Sequence, residues 1–415
     1  MTSFYPRWQK DMITQAMQTR RVLLLSGPRQ CGKTTLAKQL ISSSTEYRTL
    51  DNLILRELAE SDPQGFVKHN KKTLIIDEIQ RVPALLTAIK MVADEDPRPG
   101  QYLLTGSANI QSLPNVQESL AGRIRKLRLR PLTQGELLFA NPTFLDRAFR
   151  LDFSTNSTSP SSHVDRQAIL EMSFRGGFPE AVMLDERERK TWHHDYVNAL
   201  IERDLADIAK IQRQDAMQEL VKILAAWSSK FMDITAIGAG LSIRRQTLEA
   251  YINALEALYL VERVRPWLNT DYERVGKQSK LFMTDCGLMA SILGWPQNPT
   301  KLDSDRSGKL VETFVFNELA AQLDASEQQY QLFHYRDREQ HEIDFLVERE
   351  DQALLGIEVK AGSAIKTNHF NHLRWFKEKI ARNRPFVGIV LYSGEHAGSM
   401  GDNLWAVPLS ALFST

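Results

Sequence analysis

The stretch "SGPRQCGKTTLAKQL", residues 26–40, carries the strongest structural signal in this chain. It satisfies the spacing G-x-x-x-x-G-K-[ST] through Gly27, Gly32, Lys33 and Thr34. The apolar run "VLLL" before it predicts a buried strand, and the segment "KTTLAKQLI" predicts a helix. Glycines allow the backbone to curl so that its N–H groups point at phosphate oxygens, and the helix adds the positive end of its dipole. The spacing therefore predicts a phosphate-binding loop between a strand and a helix.

Each position of this loop is a candidate nucleotide ligand. Lys33 is expected to reach the β- and γ-phosphates, and the Thr34 hydroxyl is expected to bind Mg²⁺. The expected cofactors are therefore ATP and Mg²⁺. The alternative is a glycine turn without a ligand, which the preceding strand and the following helix disfavour. The candidate nucleotide-binding residues are Gly27, Pro28, Arg29, Gln30, Cys31, Gly32, Lys33, Thr34 and Thr35.

A second acidic motif supports this interpretation. The segment "TLIIDE" predicts a buried strand that ends in Asp77 and Glu78, and Asp77 lies 44 residues after Lys33. Asp77 is placed to hold the Mg²⁺ through water, and Glu78 is placed to orient and deprotonate the attacking water. Because Glu78 is present, hydrolysis is a better prediction than nucleotide binding alone. Glu78 and Lys33 are therefore candidate catalytic residues.

Two later segments add candidates to the same site. "LLTGSAN" ends another predicted strand with Thr105, Ser107 and Asn109, which could contact the γ-phosphate or the attacking water. An ordinary polar turn explains these residues equally well. "GRIRKLRLRPL" predicts a half-buried strand with a basic face, and Arg123 directly precedes it. Arg123 is the candidate arginine that neutralises charge on the nucleotide of a neighbouring subunit.

The order of predicted elements divides the chain into three domains. Strands alternate with helices over residues 1–150, which predicts a mainly parallel sheet covered on both faces. Residues 151–163 are serine-rich and are expected to form a loop or linker. Residues 164–295 are predicted to be helical with a winged-helix segment, and residues 305–415 are predicted to form a separate α/β unit.

Taken together, the motifs resemble the AAA-superfamily ATPases of bacteria and archaea that carry a C-terminal domain of unknown function. The resemblance implies an AAA-type sheet, ATPase roles for Lys33, Thr34, Asp77 and Glu78, and a homo-oligomer. No motif identifies the lid arginine that such a protein would use, and Arg175 and Arg203 are weak matches. The segments that carry the resemblance are "VLLLSGPRQCGKTTLAKQL", "TLIIDEIQ", "LLTGSAN", "ESLAGRI", "LRPLTQGEL", "GGFPEAV" and "LIERDLADI".

The middle segment 233–267 has the rhythm of a helix-turn-helix followed by a β-hairpin. Ser242 is the expected N-cap of the second helix. The exposed first turn of that helix is where a recognition helix reads base edges. Residues 240–280 contain seven Lys/Arg and five Asp/Glu, a net charge of +2 that is low for a strong phosphate binder. A protein-contact module or a spacer is therefore an open alternative. The candidate DNA-binding residues are Arg244, Arg245, Gln246 and Thr247.

The C-terminal segment "HEIDFLVEREDQALLGIEVKAG" places acidic residues on two adjacent predicted strands. Asp344 lies on the first strand, Glu358 and Lys360 lie two residues apart on the second, and an upstream helix could bring Glu312 alongside. Converging carboxylates suit Mg²⁺. The pattern is similar to the restriction-endonuclease-like core, which implies a nuclease-like metal site at Glu312, Asp344, Glu358 and Lys360. A core retained for binding or assembly after loss of cleavage is the alternative.

Composition limits the class of protein. The chain has 415 residues, 42% hydrophobic residues, 25% charged residues and a net charge of +1, so no global field attracts it to nucleic acid. The two cysteines, Cys31 and Cys286, fit a reducing cytosol. No apolar run approaches the roughly 20 residues of a membrane span, and the expected location is cytoplasmic.

The expected function is a Mg²⁺-dependent AAA-type ATPase that couples hydrolysis to binding or remodelling of DNA. An ATP-gated nuclease and a nucleotide-switched protein scaffold are the alternatives. The expected partners are further copies of the chain and DNA, without a membrane.

Overall fold

The computed structural model describes residues 4–107, 124–153, 164–205, 214–268 and 278–414. Its first part contains alternating helices and strands. The helices are α1 (Gln9–Ala16), α2 (Lys33–Gln39), α3 (Leu53–Ser61), α4 (Pro63–Val67) and α5 (Ala84–Glu95). The strands are β1 (Val22–Ser26), β2 (Thr45–Thr49), β3 (Thr73–Asp77), β4 (Tyr102–Gly106) and β5 (Ile124–Arg128).

These strands form one parallel sheet in the order β2-β3-β4-β1-β5. Successive side chains of a strand point to opposite faces, and both faces of this sheet are covered. Leu24 packs in the hydrophobic cluster on one face, whereas Leu23 and Leu25 pack in the cluster on the other. The predicted P-loop AAA-type parallel sheet is confirmed. Because β1 lies between β4 and β5, the loop that follows Ser26 leaves the sheet from an inner strand and not from an outer one.

The second part begins with helices and ends with a large mixed sheet. The helices are α6 (Gln134–Leu137), α7 (Phe144–Arg150), α8 (Arg166–Arg175), α9 (Glu186–Ala199), α10 (Gln214–Trp227), α11 (Ile234–Gly238), α12 (Arg245–Ala257), α13 (Cys286–Ile292), α14 (Ser304–Ala325) and α15 (Asn371–Phe376). The strands are β6 (Lys230–Phe231), β7 (Val261–Pro266), β8 (Lys280–Met283), β9 (Tyr330–Arg336), β10 (Glu342–Arg349), β11 (Leu354–Lys360), β12 (Phe386–Tyr392), β13 (Gly398–Ser399) and β14 (Leu404–Pro408).

The second sheet has the strand order β13-β14-β12-β11-β10-β9-β7-β8-β6. Strands β7 and β8 pair antiparallel, as the sequence predicted for this hairpin. Strand β7 also pairs parallel with β9, where Arg265 lies opposite Phe333. One hydrophobic cluster contains residues from Phe144 to Phe413. The hairpin and the C-terminal strands therefore share a sheet and a core, and the division into three domains stays a prediction.

The second helix of the helix-turn-helix starts later than expected. Arg244 is the N-cap of α12, without a side-chain capping bond, and Ser242 adopts a left-handed backbone conformation at φ 47°. The expected cap at Ser242 is wrong, because the chain is still turning there. The buried stripe of α12 agrees with the prediction and includes Leu248, Ile252 and Leu255. The winged-helix interpretation of this region stays a prediction.

Within the ranges that the structure describes, no helix has the length and apolar character that crossing a membrane would need.

Candidate functional site

The phosphate-binding loop, residues 27–34, is called the P-loop below. Two of its residues adopt left-handed conformations, and one of its glycines leaves no room for a side chain. Gln30 and Gly32 have φ values of 58° and 100°, which turn the chain into α2. A Cβ on Gly27 would lie 2.0 Å from the carbonyl oxygen of Leu129, so the chain passes too close for any side chain. The Lys33 side chain is buried and its Nζ donates to the carbonyls of Gly27 at 3.1 Å and Pro28 at 2.7 Å. The Lys33 side chain therefore folds back onto its own loop and binds the loop carbonyls.

Asp77 is the centre of a hydroxyl cluster at the end of β3. Thr34 Oγ1 donates to both carboxylate oxygens of Asp77 at 3.0 Å. The hydroxyl of Tyr47 donates to Asp77 Oδ2 at 2.9 Å, and Thr105 Oγ1 donates to Oδ1 at 2.5 Å. Burial, reinforced by the Asp77 charge, raises the pKa of Tyr47. These contacts bring together the two residues predicted to hold Mg²⁺, and their oxygen atoms suit that hard ion. The sequence did not point to Tyr47.

Glu78 adopts a strained backbone conformation beside this cluster. Its φ and ψ are 62° and 45°, a left-handed conformation that is uncommon for residues other than glycine. Its N–H donates to Thr105 Oγ1 at 3.0 Å, and its carboxylate accepts a hydrogen bond from Gln80. Gln80 also donates to Ser107 Oγ at 2.9 Å. Thr105, a candidate contact of the γ-phosphate or the water, therefore bonds to Asp77 and Glu78, and Ser107 bonds to Gln80. The sequence did not point to Gln80.

A cleft of about 650 Å³ opens in front of these residues. Its first wall contains the P-loop and Glu78, and its second wall contains Trp192, Tyr196 and Arg203 from α9 and the turn after it. The Trp192 and Tyr196 rings stack with centroids 5.3 Å apart and planes 10° apart. Small-molecule pockets of about 300–1,000 Å³ are usual, so the volume suits a nucleotide. No sequence motif pointed to the two aromatic residues.

The two candidate lid arginines lie in different places. Arg203 lines the cleft. Arg175 donates from Nη2 to Gln134 Oε1 at 2.9 Å, and burial lowers its pKa. Arg203 is therefore the candidate that faces the nucleotide site. Arg123 and Asn109 lie outside the described residues.

The candidate DNA-binding residues lie on the first turn of α12. Arg244, Arg245 and Gln246 are exposed, whereas Thr247 is half-buried. Arg245 Nε lies 2.9 Å from Glu249 Oε1, so a carboxylate already offsets its charge. The turn is accessible, and one of its two arginines is paired with Glu249, so DNA binding there stays a prediction.

The four residues of the nuclease-like pattern converge, and an unexpected lysine joins them. Lys280 Nζ lies 2.5 Å from Glu312 Oε1, 3.1 Å from Asp344 Oδ1 and 3.3 Å from Glu342 Oε1. The backbone N–H of Val359 donates to Asp344 Oδ2 at 2.9 Å. We use the name C-terminal carboxylate cluster for this group, which consists of Lys280, Glu312, Glu342, Asp344, Glu358 and Lys360.

In this cluster, burial and the neighbouring lysines shift the carboxylate pKa values in opposite directions. Burial, together with the Asp344 charge, raises the pKa of Glu358, although Lys360 Nζ lies 3.0 Å from Glu358 Oε2. Burial also raises the pKa of Glu312. At Asp344, burial is outweighed by the positive charge of Lys280, and the pKa is lowered. Asp344 therefore differs from Glu312 and Glu358, because its pKa is lowered whereas theirs are raised.

A different group of side chains has the compactness of a metal site. Asp337, Glu339 and His341 place one ligand atom each within 4.8 Å of one another, in the turn between β9 and β10. Among the described residues, this compact set does not include Glu312, Asp344 or Glu358. Glu312 and Asp344 therefore meet through Lys280, whereas Glu358 pairs with Lys360, and the described carboxylates do not form a compact set of three.

The sheet, the P-loop and the acidic strand end define an AAA-type P-loop domain. Residues 19–138 match the family described as AAA domain. Residues 166–299 and 307–412 match two families described as domains of unknown function, DUF8612 and DUF4143. The chain therefore combines a region that matches the AAA domain with two regions that match domains of unknown function.

Similar full-length proteins are uncharacterized. One from Mycobacterium tuberculosis is 25% identical over 404 residues, which cover 97% of this chain and 83% of the relative. One from Haemophilus influenzae is 24% identical over 334 residues, which cover 74% of this chain and 76% of the relative.

Solved structures resemble the chain weakly. Thermotoga maritima RuvB is 20% identical with a TM-score of 0.28, covering 61% of this chain and 88% of that chain. DnaA from Aquifex aeolicus is 11% identical with a TM-score of 0.26, covering 60% of this chain and 85% of that chain. Scores this low carry no conclusion about what this chain binds.

Proposed function

We propose that this protein is a Mg²⁺-dependent AAA-type ATPase that couples ATP hydrolysis to the binding or remodelling of DNA. The observation that supports this most is the contact between Thr34 and Asp77 at 3.0 Å, with Glu78 beside it and the Lys33 loop opposite. It joins the two halves of a phosphate-and-magnesium site that lie 43 residues apart in the chain.

Each residue has a distinct role in the proposed reaction. The amides between Gly27 and Lys33 bind phosphate oxygens, and the ammonium of Lys33 turns from the loop carbonyls to the β- and γ-phosphates. Mg²⁺ bound by Thr34 and Asp77 supplies positive charge against the phosphates. Glu78 accepts the proton of the attacking water. Gln80 holds the Glu78 carboxylate in place for that transfer.

The second wall of the cleft would contact the rest of the nucleotide. The stacked Trp192 and Tyr196 rings offer an apolar surface to the base, and Arg203 offers a positive charge to the phosphates. Arg123 completes the site of a neighbouring copy, so the active form is a homo-oligomer. Because α9 belongs to the second part of the chain, closing of this wall on ATP would move the helices and the hairpin relative to the first sheet.

The proposed DNA contact uses the first turn of α12. Its exposed Arg244 supplies positive charge, while Arg245 is offset by Glu249. One such site is weak, and several copies in an oligomer would sum their affinities. A nucleotide-switched scaffold would instead turn ATP over slowly and without any response to DNA.

Two substitutions test the ATPase. Glu78→Gln should retain ATP binding and lower the turnover number by roughly 100-fold or more, because the proton acceptor is removed. Lys33→Ala should weaken ATP binding itself. The exposed Glu57→Gln and Lys10→Ala are matched controls that should behave as wild type. Turnover by folded Glu78→Gln at the wild-type rate would refute the proposed chemistry.

The DNA part is tested separately by measuring ATP turnover without DNA and with single-stranded, duplex or branched DNA. At least one DNA form should raise the rate, and Arg244→Ala should reduce that stimulation without changing the basal rate. Equal rates in all conditions would refute the DNA coupling and leave the ATPase proposal standing.

A further inference from the structure

We propose that Lys280 is the resident cation of the C-terminal carboxylate cluster. The cluster is then a buried ionic joint between the β7–β8 hairpin and the C-terminal sheet, and the lysine occupies the place where a divalent metal ion would bind. This inference is independent of the proposed ATPase, because none of the cluster residues lines the nucleotide cleft.

The position of the ammonium carries the inference. Lys280 Nζ lies 2.5 Å from Glu312 Oε1, 3.1 Å from Asp344 Oδ1 and 3.3 Å from Glu342 Oε1. An ammonium has three N–H donors, and three carboxylates lie within ion-pair distance of this one. A divalent ion held by the same oxygens would sit about 2.0–2.6 Å from them. That position overlaps the ammonium, and the like charges repel.

Burial opposes movement of the Lys280 side chain out of the cluster. The Lys280 side chain is 2% exposed, whereas those of Glu312 and Asp344 are 16% and 15% exposed. Moving the ammonium out would leave the carboxylates facing one another without a counter-charge, which is strongly unfavourable at a buried site. The ring centroids of Phe231 and Phe282 lie 5.7 Å and 6.0 Å from Nζ, so both rings also contribute cation–π contacts. The contacts therefore hold the side chain in one place.

Two further carboxylate oxygens of the cluster also have partners within the chain. Asp344 Oδ2 accepts the N–H of Val359 at 2.9 Å, and Glu358 Oε2 lies 3.0 Å from Lys360 Nζ. The two oxygens of Asp344 thus face a lysine and a backbone amide. The lysine of the E-x-K pattern pairs with the glutamate of the same pattern, so both residues serve the charge balance of the joint.

The elements that meet here explain what the joint does. Lys280 begins β8, Glu312 lies within α14, and Glu342 and Asp344 lie on β10. Strand β8 is separated from β10 in the sheet by β7 and β9, so no backbone hydrogen bond joins β8 to β10 directly. The lysine supplies this connection. A hairpin that moved with the helix-turn-helix would thereby pull on the C-terminal sheet.

The test compares Mn²⁺ binding by nucleotide-free, full-length variants, measured by electron paramagnetic resonance of free Mn²⁺. Wild type and Asp344→Asn should bind the same number of Mn²⁺ ions. Lys280→Met, which removes the charge and keeps the length, should bind one ion more than wild type, and Lys280→Met combined with Asp344→Asn should lose it. Lys280→Arg, which keeps a cation in the cluster, should bind as wild type.

Two results would overturn the proposal. One is a wild-type Mn²⁺ site that Asp344→Asn or Glu358→Ala abolishes, and the other is a folded Lys280→Met variant that gains no Mn²⁺. If Lys280→Met does not fold, wild type and Asp344→Asn are compared by Fe²⁺, ascorbate and peroxide, which cleave a chain near bound iron. Equal cleavage of the two proteins between residues 340 and 360 supports a lysine-filled cluster, and cleavage there that Asp344→Asn abolishes refutes it.

Discussion

The guanidinium of Arg7 donates a hydrogen bond from Nη1 to the backbone carbonyl of Cys31, inside the P-loop, at 2.6 Å. Its Nη2 donates to the carbonyl of Arg130 at 2.5 Å, and its Nε donates to Glu136 Oε1 at 3.1 Å. Arg7 and Glu136 are both buried. A residue from before the first helix therefore ties the phosphate-binding loop to the chain that leaves β5.

Arg7→Ala should lower ATP affinity by roughly tenfold, because the P-loop loses the contact that holds it. It should also lower the melting temperature, because the buried Glu136 loses its cation and breaking such a pair costs about 3–5 kcal/mol. Arg7→Lys should be intermediate, since a single ammonium cannot reach all three acceptors. Titration with a fluorescent ATP analogue and thermal unfolding measure both effects. Arg20→Ala, at an exposed site, is the control. Wild-type affinity in a folded Arg7→Ala variant would mean that the loop holds its own shape.

Arg130 continues this connection toward the hairpin. Its guanidinium donates to Glu262 on β7 at 2.8 Å and 3.1 Å and to Asp324 on α14 at 2.6 Å. Although burial opposes ionisation, Arg128 and Arg130 lower the pKa of Glu262 to about 2. Hydrogen bonds thus run from the P-loop through Arg7 and Arg130 to the second sheet, which offers a physical route for coupling between the two parts.

Gly27→Ala should abolish measurable ATP binding, because the new Cβ would lie 2.0 Å from the backbone oxygen of Leu129 and the loop would have to move. Gly308→Ala is the matched control. It lies within α14 with open space around its Cβ position, so alanine should stabilise the helix by about 0.5–1 kcal/mol. Calorimetric ATP titration and thermal unfolding measure the two variants. ATP binding by Gly27→Ala at wild-type strength would contradict the close approach.

The free energy of unfolding should depend on pH through Glu318, which lies on α14 and contacts the first residue of α6. This buried side chain accepts from the N–H of Gln134 at 2.7 Å with Oε1, and burial raises its pKa to about 8. Between its unfolded pKa near 4.5 and its folded pKa the native state holds one proton more than the unfolded state. Stability from this group is therefore full below pH 4.5, falls as pH rises to 8, and is constant above it.

Glu318→Gln should remove this dependence, because an amide does not ionise. From pH 6 to pH 9 the wild type should lose on the order of 3 kcal/mol relative to Glu318→Gln, since each pKa unit corresponds to about 1.4 kcal/mol. Thermal unfolding midpoints at several pH values measure the difference, and the exposed Glu327→Gln is the control. Parallel pH profiles for wild type and Glu318→Gln would rule out a raised pKa at this position.

The features that the sequence predicted correctly are local. The strand, glycine loop and helix around Lys33 are contiguous, and the alternation of strands with helices predicts a parallel sheet whose strand ends meet at one edge. Thr34 and Asp77 were each predicted to hold the Mg²⁺, and Thr34 Oγ1 lies 3.0 Å from both carboxylate oxygens of Asp77. The expected cap at Ser242 failed because a capping residue type does not reveal the backbone angle that the turn requires.

The P-loop and the acidic strand end could be recognised without coordinates, because phosphate chemistry demands particular residue types at short, regular intervals. The partners of these residues depend on how distant segments dock: Arg7 on the loop of Cys31, Gln80 on Glu78, and Lys280 among carboxylates 32 to 64 positions later. A single lysine in "SKLFMTD" carries no periodic or spacing signal. Its role arises from charge and burial in the folded chain, where an unpaired carboxylate is costly and the nearest ammonium becomes its counter-ion.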